Sequence, residues 1–353
     1  MHGESTLTLY IPDLFGFQST LSKVSKEELS QLPEIKLPVL EKWLSRGVRK
    51  ESNHKDDTFI SEFGISVEKN NDKHHAALSL LAENVSDIDV SVKTYWLRAD
   101  PVNIQPDRDT ALLAAHEDLA LTQEEANKLV DQINKHFTEE PWELYTFAPH
   151  RWYLRLDKKA SLKTFPLAKV LGEDINQFMP AGDDKNYWFK ITNEIQMLLH
   201  GTNVNFERES RNMWTANSIW LWGGGYLPDN SNLKSKYKKI ITNNILFTGI
   251  ARYCGCNVLP VDERFDSNIE VGNNFIVLDM LSEYVQRRDL YTFTQKLNEM
   301  EAVFFTYYNK LLESGKIDKI QLITDTGITI TVTQKLLRRW WRRIKPFSGF
   351  KNA

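Results

Sequence analysis

The stretch TANSIWLWGGGYLPDN, from Thr215 to Asn230, joins an aromatic run to three consecutive glycines. Aromatic and β-branched residues such as those of Ile219–Trp222 favour a β-strand. The bare backbone amides of Gly223, Gly224 and Gly225 could cradle a phosphate, as in other glycine-rich loops. Alternatively, the glycines supply positive φ angles and close packing at a turn. The choice between these interpretations depends on what the rest of the chain provides.

The composition is that of an ordinary globular protein, with 41% hydrophobic and 26% charged residues in a chain of 353. This length allows two domains, or one large domain with an insertion. No run of about 18 apolar residues predicts a membrane span, and MHGESTLTLYIPDLFG, the N-terminal sequence, lacks the features of a secretory leader. We therefore expect a cytoplasmic protein.

The charge and the cysteines exclude some kinds of site. A formal net charge of −3 does not indicate a nucleic-acid-binding protein. The two cysteines, Cys254 and Cys256, are too close in sequence for an ordinary disulfide framework and too few for a structural zinc site. They are expected to be reduced, structural thiols.

The C-terminal stretch LLRRWWRRIKPF, Leu336–Phe347, is a local exception, because four arginines surround Trp340 and Trp341. Arginine and tryptophan together suit membrane interfaces, single-stranded nucleic acid and protein interaction sites. The favoured interpretation is instead a terminal element that docks both tryptophans into the core while the arginines reach solvent.

Strands alternate with helices at both ends of the chain, which predicts an α/β fold with a covered, mostly parallel sheet. Three strands end at or just before Asp13, Asp279 and Asp325. Ligand sites of open α/β sheets lie at the carboxyl ends of the strands, so three aspartates there would suit a divalent metal that activates or clamps a phosphate. Alternatively, they are ordinary turn residues.

The middle of the chain has a different pattern. A capping box at Thr122–Glu125 begins an amphipathic helix, and the strands WELYTFA and RWYLRLD follow, separated by Pro149 and His150. We therefore predict a discontinuous core interrupted by a smaller inserted α/β domain. The predicted boundaries are 1–95 and 185–345 for the core, 96–184 for the inserted domain and 346–353 for a C-terminal tail.

Six segments, in chain order, carry a resemblance to known proteins: LRADPVNIQPDRD, LTQEEANKLVDQIN, HRWYLRLD, NEIQMLLHGTNVNFERE, TANSIWLWGGGYLP and FTGIARYCGCNV. They resemble archaeal-type cofactor-independent phosphoglycerate mutases of the alkaline phosphatase superfamily. They resemble still more closely the bacterial regulatory proteins of RpfE type, which are relatives of those mutases. The resemblance implies an alkaline-phosphatase-like core formed by both ends of the chain and interrupted by an inserted α/β domain.

The resemblance also implies a site for a phosphorylated ligand. In such mutases arginines hold the substrate, because a planar guanidinium can bind carboxylate or phosphate with two hydrogen bonds. Alternatively, Arg108 and Arg208 are surface ion-pair partners that contribute little. The positions that resemble the ligand-binding set are Asp107, Arg108, Arg151, Asn205, Arg208, Asn217, Gly223, Gly224 and Gly225.

The catalytic side departs from the family pattern. Asp13, Asp279 and Asp325 match metal-binding aspartates, but the histidines expected after two of them are missing, since Met280 follows Asp279 and Thr326 follows Asp325. A zinc or manganese site of this type needs neutral imidazoles to complete its ligand shell. The three aspartates are therefore interpreted as a remnant of a metal site, and we expect no metal or other cofactor.

The nucleophile expected by the resemblance is missing as well. Lys73, His74 and His75 occupy the matching window, which holds no serine or threonine, and covalent phosphoryl transfer needs a hydroxyl. Lys73 could serve as an internal counter-ion for the aspartates. His74 or His75 could restore a metal site, although the two point in different directions at a helix start.

The favoured function is therefore a non-catalytic regulatory or ligand-sensing protein that binds an anionic, phosphorylated metabolite or a protein partner. The alternative is a metal-dependent phosphoglycerate mutase-like isomerase or phosphoesterase with a rearranged site, which would use manganese or zinc. We expect no nucleic-acid partner.

Overall fold

A computed structural model describes residues 4–17, 20, 32–51, 58–65, 74–83, 88, 90–107, 110–115, 118–229, 235–262, 269 and 272–350. In this part of the chain the strands are β1 (Thr6–Tyr10), β2 (Val48–Glu51), β3 (Tyr95–Asp107), β4 (Thr110–Ala115), β5 (Trp142–Ala148), β6 (Arg151–Leu156), β7 (Ser218–Gly225), β8 (Lys239–Ile241), β9 (Asn257–Leu259), β10 (Asn274–Val277), β11 (Lys319–Ile323) and β12 (Ile328–Thr333).

The helices in the same residues are α1 (Pro38–Arg46), α2 (Thr58–Ser61), α3 (His75–Leu80), α4 (Gln123–His136), α5 (Leu167–Val170), α6 (Lys185–His200), α7 (Asn203–Ser210), α8 (Ile245–Tyr253), α9 (Ser282–Gln286), α10 (Leu290–Met300), α11 (Thr306–Glu313) and α12 (Gln334–Leu337). A π-helical turn, Glu301–Phe305, joins α10 to α11. Two short 3₁₀ turns span Ile175–Phe178 and Phe347–Gly349.

The chain forms two compact units. The first unit contains residues 1–66 and 232–353, and the second contains residues 67–231. The inserted domain predicted at residues 96–184 lies inside the second unit, which is wider at both ends. The reason is that α3 contacts β3 and β7, while β7 pairs with β3, so flanking segments belong to the same sheet and core.

The first unit is built on a seven-stranded sheet of order β2-β12-β11-β1-β10-β8-β9. The strands from β11 to β9 are parallel, and β12 and β2 add antiparallel pairs at one edge. In the central register, Leu9 lies beside Ile276 and Leu322, and all three side chains have no exposed surface. The predicted α/β class with a mostly parallel sheet is therefore confirmed.

The C-terminal stretch does not dock as predicted. The side chains of Trp340 and Trp341 are 81% and 67% exposed, so the prediction that both enter the core is wrong. Leu337 and Phe347, on either side of them, are buried instead, and the Phe347 ring stacks on Phe15 with 5.9 Å between the ring centroids. The predicted tail, residues 346–353, thus contains a core residue, Phe347.

The second unit contains a five-stranded antiparallel sheet, in which β4, β3, β6 and β5 follow in order and β7 also pairs with β3. The predicted strands on either side of Pro149 and His150 are confirmed as β5 and β6. The capping box is confirmed too, because Thr122 Oγ1 accepts the Glu125 N–H while the Glu125 carboxylate accepts the Thr122 N–H. Helix α4 packs on β5 through Ala126, Leu129 and Ile133.

Candidate functional site

In the first unit, Asp13 and Asp325 lie together at the carboxyl ends of neighbouring strands β1 and β11. The Asp13 backbone N–H donates to Asp325 Oδ1 over 3.0 Å. Asp13 has a left-handed backbone with φ of +56°, a conformation that aspartate tolerates better than most non-glycine residues. The parallel pairing of β1 with β11 therefore brings together two carboxylates that are 312 residues apart.

Asp13 is held where its ionised form is disfavoured. Burial raises its pKa, a hydrogen bond from the Ser282 hydroxyl lowers it, and the charge of Asp325 raises it again, so that the pKa is about 6. The carboxyl group of Asp13 thus exchanges a proton close to neutral pH.

The third aspartate has a different partner. Asp279 Oδ2 accepts a hydrogen bond from Asn244 Nδ2 over 2.8 Å, and Asn244 Oδ1 in turn caps α8 by accepting the Leu246 N–H. Within the described residues, no three His, Cys, Asp or Glu side chains form a group that could hold a metal ion. The described part of the first unit also contains no histidine. These residues therefore do not fit a zinc or manganese centre, which needs such a ligand set.

In the second unit, close packing accounts for the three glycines at the end of β7. A Cβ atom on Gly224 would lie 2.6 Å from Tyr95 Oη, and one on Gly225 would lie 2.9 Å from the backbone of His74. Gly223 has φ of +66°, and a Cβ there would lie 3.0 Å from His75 Cβ. The interpretation of glycines for close packing thus has a direct structural basis, and phosphate binding by them stays a prediction.

The histidines of the nucleophile window belong to the second unit, whereas the three aspartates belong to the first. His74 precedes α3 with a left-handed backbone, and its Nδ1 lies 2.7 Å from the carbonyl oxygen of Tyr226. His75 meets the Trp222 ring edge-on, with 6.0 Å between the centroids. Lys73 lies outside the described residues.

Arg208 and Asn205, two members of the predicted ligand set, are buried and bonded to the backbone of their own unit. The Arg208 guanidinium donates to the carbonyl oxygens of Trp214 and Leu119 and pairs with Glu125 over 2.8 Å. Its side chain has no exposed surface. Asn205 Nδ2 donates to two further carbonyl oxygens. Both side chains therefore have structural roles, and Arg208 is not the surface ion-pair residue of the alternative interpretation.

Asn217 acts as a substitute strand partner. Its Oδ1 accepts the Ile104 N–H over 2.8 Å, and its Nδ2 donates to the Ile104 carbonyl over 3.0 Å. The side-chain amide thereby satisfies both polar groups of one residue in β3. Asp107 is the last residue of β3, and Arg108 lies outside the described residues.

Among the described arginines of the predicted ligand-binding set, Arg151 is the one that reaches solvent, with 24% of its side chain exposed. Glu83 holds it with two hydrogen bonds, to Nε over 2.7 Å and to Nη2 over 3.2 Å. Glu83 also accepts from the Tyr153 hydroxyl over 3.0 Å. Because Glu83 is buried, it fixes the guanidinium plane, and its carboxylate also neutralises the charge of Arg151.

A buried ion pair that was not predicted from the sequence lies next to this arginine. Arg98 donates to Asp100 Oδ1 through Nε and Nη2, over 3.0 and 2.5 Å, and both side chains are buried. Asp100 Oδ2 accepts from Trp222 Nε1 over 2.7 Å, and the Arg98 guanidinium lies 4.8 Å from the Tyr153 ring centroid. The sequence does indicate this ion pair, because Arg98 and Asp100 stand at alternate positions of the apolar strand WLRAD and therefore face the same side.

A cleft of about 320 Å³ in the second unit, beside α6 and β7, was not predicted from the sequence either. Its walls combine apolar side chains with amides that can both donate and accept hydrogen bonds. A cleft of this size and lining is suited to a small organic ligand. Residues that line it include Ile104, Ile175, Trp220, Asn176, Asn193 and Gln196.

No family model matches the chain. Over 146 residues, 40% of the chain, it is 27% identical to the 2,3-bisphosphoglycerate-independent phosphoglycerate mutase of Methanosarcina mazei. Over 181 residues, 49% of the chain, it is 25% identical to the enzyme of that name from Methanosarcina barkeri. The matches span 37% and 44% of those enzymes, less than half of their length.

The fold has been seen before in the solved structure of the PH0037 protein from Pyrococcus horikoshii. The two superpose with a TM-score of 0.58, covering 98% of this chain and 91% of that one at 14% sequence identity. This likeness concerns the fold alone. By its sequence, the chain is related at low identity to the 2,3-bisphosphoglycerate-independent phosphoglycerate mutases.

Proposed function

We propose that this chain is a non-catalytic relative of the phosphoglycerate mutases, a regulatory or ligand-sensing protein of the RpfE type. In this proposal it acts in the cytoplasm and binds an anionic, phosphorylated metabolite. The chain matches less than half of the length of each of these relatives, and the activity of the whole protein is part of the proposal.

The observation that carries the proposal is how the aspartates at the strand ends are bonded. Asp325 accepts the backbone N–H of Asp13, and Asp279 accepts from the Asn244 amide. In an active centre of the alkaline phosphatase type these carboxylates would serve metal ions. Because these carboxylates accept hydrogen bonds from the protein itself, they support the proposal that the first unit keeps the fold but does not transfer phosphoryl groups.

Metal content and turnover test the non-catalytic part of the proposal. Protein purified without chelator is expected to contain less than one equivalent of zinc or manganese and to leave 3-phosphoglycerate unchanged when manganese is added. Bound metal at one equivalent, lost in Asp13→Asn together with measurable turnover, would instead establish the alternative, a mutase-like isomerase or phosphoesterase.

Ligand binding is proposed to involve Arg151, because Glu83 presents its guanidinium in a fixed plane with part of the surface exposed. Calorimetry with 3-phosphoglycerate should show binding that Arg151→Ala weakens about tenfold or more, the usual cost of a lost charge-assisted bond. Arg151→Lys keeps the charge and should weaken binding less. Arg155→Ala, on the same strand and 43% exposed, is the matched control.

Two results would contradict this assignment. One is equal binding by the Arg151→Ala and Arg155→Ala proteins with both still folded. The other is binding that Arg151→Ala leaves intact and Gln196→Ala abolishes, which would move the ligand to the cleft beside α6 and β7.

A further inference from the structure

The Arg/Trp segment, defined as Arg338–Lys345, is an exposed surface feature of the first unit. Trp340 and Trp341 are 81% and 67% exposed, and Ile344 is 42% exposed. Large apolar side chains are seldom exposed next to one another on a protein that binds nothing there. The exposure of adjacent tryptophans therefore points to an interaction surface.

The segment is fastened to α1 rather than loose. Arg46 donates to the Leu337 carbonyl over 2.6 Å, and the Lys345 N–H donates to Ser45 Oγ over 2.9 Å. The Phe347 N–H donates to Glu41 Oε1 over 2.7 Å, and the Phe347 side chain is buried in the core. Buried or hydrogen-bonded residues at both ends of the Arg/Trp segment therefore hold the tryptophans on the surface.

In the sequence around the tryptophans, the charged residues all have one sign. From Thr326 to Ala353 the sequence contains no aspartate or glutamate, although the whole chain has a net charge of −3. Arg342 donates to the Gly47 carbonyl over 3.2 Å, a contact that leaves its charge unneutralised. The basic residues of this stretch are Lys335, Arg338, Arg339, Arg342, Arg343, Lys345 and Lys351.

We propose that the Arg/Trp segment docks the protein on an anionic lipid bilayer surface, such as the cytoplasmic leaflet of a membrane. Tryptophan rings partition into the interface between headgroups and acyl chains, while clustered arginines are attracted to anionic headgroups. This is peripheral attachment, and it does not involve a spanning helix. Within the described residues, no helix is long and apolar enough to cross a membrane.

The ring geometry favours a lipid surface over single-stranded nucleic acid. The Trp340 and Trp341 rings meet at an interplanar angle of 84°, with 6.2 Å between their centroids. Sequence-tolerant binding of single strands stacks successive bases on aromatic faces. Two perpendicular rings do not offer parallel faces to neighbouring bases, whereas insertion into a lipid interface requires no such alignment.

Vesicle co-sedimentation with the full chain tests the proposal. We expect binding to vesicles of phosphatidylcholine mixed with phosphatidylserine, much weaker binding to phosphatidylcholine alone, and loss of binding at high salt. The Trp340→Ser, Trp341→Ser double variant should bind at least tenfold more weakly. Removing two charges by Arg338→Gln and Arg343→Gln should reduce binding about tenfold or more, since each basic residue near such a surface contributes about fivefold.

Matched controls separate the segment from general charge and hydrophobicity. Arg155→Gln with Arg211→Gln removes two exposed arginines of the second unit, and Phe206→Ser removes a ring that is 54% exposed. Both controls should bind vesicles like the original protein. Circular dichroism of each variant confirms that it is folded.

The proposal is overturned if the protein does not sediment with anionic vesicles at low salt, or if segment and control variants bind equally. It is also overturned if a single-stranded oligothymidylate displaces the protein from vesicles and binds more tightly than the lipid, because the segment would then be a nucleic-acid surface. One further result would overturn it. The Trp340→Ser, Trp341→Ser variant would bind vesicles like the original protein, while the original protein bound an acidic protein.

Discussion

At the scale of single residues, the buried carboxyl group of Asp13 makes the stability of the first unit depend on pH. Its pKa is about 6 in the folded protein, against the ordinary aspartate value of 3.8. The folded state therefore binds this proton more tightly than the unfolded state does. The resulting stabilisation is present below about pH 4 and is lost as the pH rises through about 6. A difference of about two pKa units corresponds to about 3 kcal/mol.

We predict that Asp13→Asn is more stable than the original protein at pH 8, by about 1 to 3 kcal/mol, because an amide does not ionise and asparagine also tolerates a left-handed backbone. The advantage should disappear at pH 4. Urea unfolding at both pH values measures it, with the exposed Glu34→Gln as control. A difference in stability between Asp13→Asn and the original protein that is the same at pH 4 and pH 8 would contradict this prediction.

At the scale of elements, the position of β7 depends on glycine, which has no side chain to clash with the neighbouring strand. Gly224 allows the strand to pass next to Tyr95 and Leu97 of β3, where a Cβ would lie 2.6 Å from Tyr95 Oη and 2.7 Å from a Leu97 methyl group. The aromatic residues of the same strand could be read from the sequence. Close packing was one of two interpretations of the glycines, and the sequence could not decide between them, because the contacts are with residues more than a hundred positions away.

Gly224→Ala should therefore lower the free energy of unfolding by about 1 to 3 kcal/mol, the usual cost of overpacking. Gly201→Ala is the matched control, since the nearest atom to its added Cβ is 3.7 Å away. Removing the hydroxyl by Tyr95→Phe should restore part of the loss in the Gly224→Ala background. Equal stability of the two alanine variants in urea unfolding would contradict the packing explanation.

At the scale of the whole molecule, the continuous second unit, residues 67–231, has its own sheet and core. We predict that this fragment folds alone and unfolds cooperatively, because the observed pairings of its strands β3 to β7 all lie inside it. Residues 1–184 should not fold cooperatively, because they lack β7 and the strands β8 to β12. Circular dichroism melting of both fragments tests this. Cooperative unfolding of the 1–184 fragment would contradict the observed division.

By itself, the amino-acid pattern determined the α/β class, the parallel strands that end near Asp13 and Asp325, the hairpin of β5 and β6 and the capping box of α4. These features depend on neighbours close in sequence or on hydrophobic periodicity, which the chain carries locally.

Only the tertiary structure decided which polar and aromatic side chains are buried. Arg208 is enclosed because Leu119 and Glu125, more than eighty residues earlier, supply its partners. Trp340 and Trp341 are exposed because Leu337 and Phe347 fill the core in their place. Burial depends on which distant segments come into contact, and the sequence next to an arginine or a tryptophan does not specify that contact.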